Sequence, residues 1–159
     1  MPTVLAACGV KAPDTLVGAA LQPLLRGDPC KDWREFLFTE MNFHEPQIFR
    51  GQRTVRDRRH KLMLNLAPSE GVAPVELFDL ENDPGENKNL ADDTAHVADR
   101  KRLEAAMQTW REKRSDPLLD PARLQRWKDA ATHWNKLPRV KAGPMMVVRI
   151  PEGELELLK

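Results

Sequence analysis

Four histidines, two cysteines and one basic run supply most of the side chains from which chemistry could be built. Cys8 is followed by Gly-Val-Lys-Ala and Cys30 by Lys-Asp-Trp-Arg. Neither belongs to a Cys-x-x-Cys pair, so no zinc site is expected and two free thiols are the simplest reading. Spacing does not decide whether they form a disulfide. His60, His96 and His133 have no carboxylate or cysteine at ligand spacing, so no metal ligand is assigned among them. His96, at a helix start, reads as a surface residue. The run "RTVRDRRHK" invites a nucleic-acid reading. Asp57 interrupts it, no aromatic residue interleaves it, and period-two geometry sends its charges to both faces of a strand. With a formal net charge of only +1, there is no global basic field either. Trp110, Trp127 and Trp134 read as core anchors rather than a stacking platform.

The elements that must position these groups follow from periodicity. "PTVLAAC" reads as a short apolar helix, with Pro2 in its first turn and Gly9 at its stop. It lacks a capping residue and a polar face, so it reads as a helix cut from a larger sheet-packed setting. "LQPLLRG" reads as one helical turn ended by Gly27. "REFLFTEMN", Arg34 to Asn42, reads as a strand with Phe36 and Phe38 on one face and Leu37 and Thr39 on the other, both faces buried. "RTVRDRRHKLMLNL" reads as a hairpin turning at "DRR", with Leu62, Leu64 and Leu66 in period two. "VELFDL" is a third antiparallel strand. Asp92 or Asp93 should cap a helix over about residues 95–113. Its apolar stripe is Leu103, Ala106, Met107 and Trp110. "PARLQRWKDAATHW" reads as a second helix with Leu124, Trp127, Ala131 and Trp134 inward, and "MMVVRI" as a strand.

The segment "ELFDLENDPGENKNLADD" carries a resemblance. Leu77, Phe78, Asp79 and Leu80, then Asp83, Pro84, Glu86, Asn89 and Leu90, resemble the C-terminal subdomain of the type I sulfatases. In that setting the segment joins a small antiparallel sheet to the helix packed on it. Its chemistry is structural: Asp83-Pro84-Gly85 makes a tight turn in which Gly85 tolerates positive φ, Asn89 bonds nearby backbone, and Leu90 re-enters the core. "MPTVLAACGV", "LVGAALQPLLRG", "FTEMN" and the hairpin are similar to further parts of the family. "HEPQIFRGQRTVRDRRHKLMLNL" and "WREKRSDPLLDP" are similar to the sulfamidase, or heparan N-sulfatase, branch. The resemblance covers roughly residues 1–138.

It implies an α+β fold: a small antiparallel sheet of about four strands packed against a C-terminal helix, with an N-terminal remnant of a larger α/β domain. The expected organisation is a remnant of the catalytic domain over 1–45, the C-terminal subdomain over 46–139 and a tail over 140–159. By the same resemblance, catalysis needs a formylglycine made within a Cys/Ser-x-Pro/Ala-x-Arg motif and a divalent cation, usually calcium, bound by carboxylates and an Asn or Gln. Neither cysteine lies in that motif, and Asp92-Asp93 is better placed to cap a helix. No catalytic residue is therefore assigned, and formylglycine and calcium are expected in a full-length parent. In such parents this subdomain walls the mouth of the pocket. There His44 could bind a sugar hydroxyl or sulfate, Glu45 a hydroxyl, and Arg53 and Arg56 anionic sugar groups. The alternatives are an ordinary loop histidine and a solvated, salt-bridged strand face.

Three functions fit this reading. The first is a C-terminal sulfatase fragment, inactive alone, whose parent acts on sulfated glycans. The others are a stand-alone module binding anionic glycans, and a non-catalytic subunit docking on a separate catalytic domain. No nucleic-acid or membrane partner is expected. No apolar run approaches the roughly 20 residues of a membrane span. No signal peptide is visible, though the resemblance implies a periplasmic, extracellular or lysosomal parent.

Overall fold

The computed structural model describes residues 1–30, 33–44, 48–68, 70–134, 139–142 and 145–148. The chain divides into two units, Met1–Arg34 and Glu35–Lys159. This division differs from a boundary at residue 45. The strand that such a boundary would leave with the first segment is hydrogen-bonded into the sheet of the second.

The first unit carries α1 (Pro2–Ala7) and α2 (Gln22–Arg26). Gly27 closes α2 in the left-handed region, where a residue without Cβ is favoured. Neither helix buries a residue. Val4, Val17 and Leu25 are 61%, 80% and 79% exposed.

The second unit is built on a four-stranded antiparallel meander of order β1-β2-β3-β4. Its strands are β1 (Leu37–His44), β2 (Ile48–Arg56), β3 (His60–Asn65) and β4 (Val75–Asp79). The turn between β2 and β3 falls on Asp57, Arg58 and Arg59, as the charge cluster predicts. Register places Phe38 opposite Val55, Val55 opposite Leu62, and Leu62 opposite Leu77, one apolar row crossing all four strands. Val55, Leu62 and Leu77 are fully buried.

Over that row lies α3 (Val97–Lys113), entered through a 3-10 turn at Thr94–His96. The Asp93 carboxylate caps the turn by accepting from the Ala95 amide at 2.9 Å. The helix buries Leu103 and Met107, and Trp110 stacks on Phe38 at 5.2 Å between ring centroids. β1 corrects one expectation. Leu37 is 47% exposed and Thr39 is exposed, because β1 is an edge strand covered on one face only. Leu66 falls just beyond β3 and outside the strand.

A 3-10 turn at Pro117–Leu119 leads into α4 (Pro121–Trp134). Its Ala130 and Ala131 pack with Ala67, and Trp127 packs against that cluster. Gly51 makes the approach possible. Its φ is +56°, and a Cβ there would lie 2.8 Å from Trp127 Nε1. A separate two-stranded sheet pairs β5 (Arg139–Ala142) with β6 (Met145–Val148).

The polar segment after β4 finishes this architecture. Asn89 Oδ1 accepts from the amides of Leu77 and Ala91, each at 2.9 Å, and its Nδ2 donates to the Val75 carbonyl. The Leu90 amide donates to the Leu77 carbonyl at 2.8 Å. The free edge of β4 is therefore occupied by a side chain and a loop. Positive φ falls on Glu86 (55°) and not on Gly85. Gly85 instead leaves room for the Asn87 amide, which a Cβ would meet at 2.5 Å. We expect Asn89→Ala to lower unfolding free energy by about 1–2 kcal/mol in urea titrations. Asn89→Asp, which keeps the acceptor, should cost less.

Candidate functional site

The centre of β2 supplies a buried charge network. Arg53 is 1% exposed. Its Nε and Nη2 donate to the two carboxylate oxygens of Asp116, each at 2.9 Å. Its Nη1 donates to Asn42 Oδ1 at 2.8 Å and to the Gln52 carbonyl at 3.1 Å. Arg111, in the last turn of α3, donates to Asp116 through Nε at 2.7 Å and to the Leu118 carbonyl through Nη2 at 3.0 Å. Local sequence explains where Asp116 sits. Pro117 opens the 3-10 turn, and Asp116 caps it by accepting from the Leu118 amide at 3.0 Å. Burial by itself would raise the Asp116 carboxyl. Hydrogen bonds from Arg53, Arg111 and Leu118 outweigh it and hold the group well below the usual carboxylate range.

A second polar cluster organises the β2–β3 turn. Asp57 Oδ1 accepts from the amides of Arg59 and His60 at 2.7 and 2.6 Å, and Oδ2 takes a hydrogen bond from Arg102 of α3. Arg59 donates bidentately to Asp79 at 3.1 and 2.7 Å. That pairing lowers the Asp79 carboxyl below its ordinary value. Next to this turn, His60, His96 and Asp99 come together, one ligand atom from each lying within 4.8 Å of the others. Sequence spacing carried only the His96–Asp99 step of three, because His60 and Asp99 meet only when α3 docks on the hairpin.

The structure separates the four expected substrate residues. Glu45 lies outside the described residues. His44 is placed only as the last residue of β1, opposite Ile48. Arg56 pairs with Leu37 at the other end of the same ladder, about 24 Å away at ~3.4 Å per residue. Arg56 is exposed, and its Nε donates to the Asp57 carbonyl at 3.3 Å. Arg53 is neither solvated nor open to an anion; its guanidinium is committed to Asp116, Asn42 and Gln52. It positions other residues. The Arg53–Asp116 pair spans 63 residues, and its one sequence signal was the Asp-Pro step that marks Asp116 as a cap.

The described residues do not fit the calcium site that the resemblance implies. Calcium takes six to eight oxygen ligands. Among the described residues, the one cluster of three potential ligands supplies two imidazoles and a single carboxylate. Cys8, at the C-terminal end of α1, and Cys30 are free thiols outside any formylglycine motif.

Residues 1–113 match the family model described as N-sulphoglucosamine sulphohydrolase, C-terminal. The chain belongs to that sulfatase family. It is 34% identical over 93 residues to the Delta 4,5-hexuronate-2-O-sulfatase of Bacteroides thetaiotaomicron, covering 58% of this chain and 18% of that protein. A solved 2-O GAG sulfatase superposes with a TM-score of 0.61 at 27% identity, covering 72% of this chain and 24% of the other. The phosphonate monoester hydrolase of Silicibacter pomeroyi superposes at 0.53 with 30% identity, covering 70% and 24%. The chain thus spans about a fifth of the curated relative's length and about a quarter of these structures. The antiparallel sheet with its covering helix is the α+β arrangement of this sulfatase family's C-terminal domain.

Replacing one partner of the Asp116 network strands buried charge. Asp116→Ala should lower stability by about 3–5 kcal/mol in chemical denaturation. The sign of the pH dependence follows from the depressed carboxyl. Its contribution is fully present above the unfolded value of 3.8 and is lost as pH falls below that toward the folded value. Unfolding titrations across that range should show the loss in the parent chain, with a flatter profile in Asp116→Asn.

Proposed function

We propose that this chain is the non-catalytic C-terminal lobe of a sulfatase acting on sulfated glycans. It supports a catalytic domain that supplies the formylglycine nucleophile and the calcium site. By itself it does not turn over substrate. The observation that carries the reading is an open, largely apolar groove of about 430 Å³ between the start of β1 and α3, lined by Phe36, Phe38, Ala105, Ala106, Thr109 and Trp110 with Lys113 at its side. Such an open apolar surface fits a larger body docked on this lobe. The glycan class rests on the family and on relatives named for hexuronate and GAG sulfates. In the assembled hydrolase His44, the last residue of β1, and Glu45, next to it in sequence, are the substrate-facing candidates. Arg53 ties β2 to the turn before α4 through Asp116.

A glycan-binding module is the second reading, favoured by the exposed Arg56 and Arg58 at the β2–β3 turn. Two measurements separate the readings. The pure chain should release no sulfate from an aryl sulfate or from glucosamine N-sulfate, and release would overturn the inactive-lobe assignment. On immobilised heparin the lobe should elute without salt-dependent retention. Retention at physiological salt that Arg56→Ala abolishes would establish the binding module instead.

A further inference from the structure

The geometry points to a divalent transition-metal site at His60, His96 and Asp99, where a bound ion clamps the β2–β3 hairpin to the start of α3. This inference stands independently of the proposed function. His60 opens β3, His96 closes the 3-10 turn, and Asp99 lies in the first turn of α3. His60 Nδ1 is 3.6 Å from one Asp99 carboxylate oxygen, and His96 Nδ1 is 3.8 Å from the other. The imidazoles meet edge to face at 6.0 Å between centroids. The three ligand atoms lie within 4.8 Å of one another, against the roughly 3.3 Å edge of a tetrahedron built on ~2.0 Å zinc–nitrogen bonds, so binding must draw the side chains together.

Burial supplies the second observation. His60 is 5% exposed, yet its Nε2 is buried without a hydrogen-bond partner. His96 Nδ1, facing Asp99, is likewise buried and unsatisfied. Buried imidazole nitrogens without partners are costly, and an ion beside Asp99 satisfies His96 Nδ1 directly, while His60 has one ring nitrogen facing Asp99 and the other without a partner. The donor set, two nitrogens and a carboxylate, selects zinc-like ions over calcium or magnesium. The fourth position falls to water.

The surrounding charge permits a cation. Arg102 Nη2 approaches Asp99 at 3.9 Å, but its hydrogen bond goes to Asp57. Arg59 is paired with Asp79. Each guanidinium is matched by a carboxylate of its own, which leaves Asp99 as the charge available to an ion. The backbone is already organised for binding, since the Asp57 carboxylate fixes the His60 amide and ties to α3 through Arg102.

The test is calorimetric titration of the full chain with Zn²⁺ in a non-chelating buffer. One equivalent should bind with micromolar or tighter affinity. His96→Ala and Asp99→Asn, each checked for an unchanged fold by circular dichroism in EDTA, should each weaken binding at least tenfold. The combined variant Cys8→Ser, Cys30→Ser, His133→Ala should bind as the parent does. Co²⁺ should give visible d–d bands without a sulfur charge-transfer band, and His96→Ala should lose them. Zn²⁺ should raise the Tm of the parent and leave that of His96→Ala unmoved. No binding, binding indifferent to His96→Ala, or binding lost in the combined variant would each overturn the assignment.

Discussion

A carboxylate held between two guanidiniums inside the protein constrains everything around it. Asp116 cannot leave its place without taking from buried Arg53 and Arg111 the carboxylate that both of them hydrogen-bond. Arg53 is fixed in the middle of β2, and Arg111 in the last turn of α3. Asp116 itself caps the turn that leads to α4. One residue therefore sets the distance between the sheet, the covering helix and the following helix. Hydrophobic packing on the Phe38–Val55–Leu62–Leu77 row would tolerate α3 sliding by a turn. Three guanidinium hydrogen bonds to a single carboxylate would not.

The same economy of polar groups governs the loop after β4. A strand edge presents unpaired amides and carbonyls, and this sheet has two edges. Asn89 closes the β4 edge with one amide side chain, which accepts from Leu77 and donates to Val75, while Leu90 crosses back into the core. Asp83 makes this possible by drawing the chain round. It accepts from the Lys88 amide at 2.8 Å and from Asn87 Nδ2 at 3.2 Å. Lys61 of β3 then ties Glu86 to the sheet at 2.6 Å. The motif that marks the family is thus an edge-closing device. Its acids are committed to structure: Asp79 to Arg59, Asp83 to the Lys88 amide and Glu86 to Lys61.

Elements governed by local spacing were legible in the sequence. The Leu103–Met107–Trp110 stripe, the "DRR" turn and the helix over Pro121–Trp134 each follow from a period or a breaker within one element. Contacts made by folding were not. Arg53 looked like a solvent-facing cation because strand alternation says which residues share a face but not which face is covered. His60 looked solitary because its neighbours His96 and Asp99 arrive with α3. No local pattern singles out Gly51, whose positive φ and the indole above it disfavour any side chain. Gly85 drew the opposite error. Turn chemistry assigned it the left-handed conformation that Glu86 in fact adopts.

The two edges of the sheet are finished differently, and the difference bears on what the lobe is for. The β4 edge is closed by Asn89 and Leu90 with no reference to any other body. The β1 edge has no such closure among the described residues. It carries a register shift between Met41 and Phe43, exposes Leu37, and borders the groove under Phe36, Phe38 and Trp110. A free-standing module of this size gains stability by covering such a groove, since roughly 25 cal/mol accompanies each Å² of apolar surface removed from water. Leaving it open is consistent with a neighbour that covers it. The helices of the first unit bury none of their residues and keep Val4 and Leu25 largely exposed, which fits the same explanation. On the proposed reading, the β4 edge is complete in itself and the groove beside β1 is where a neighbouring domain would lie.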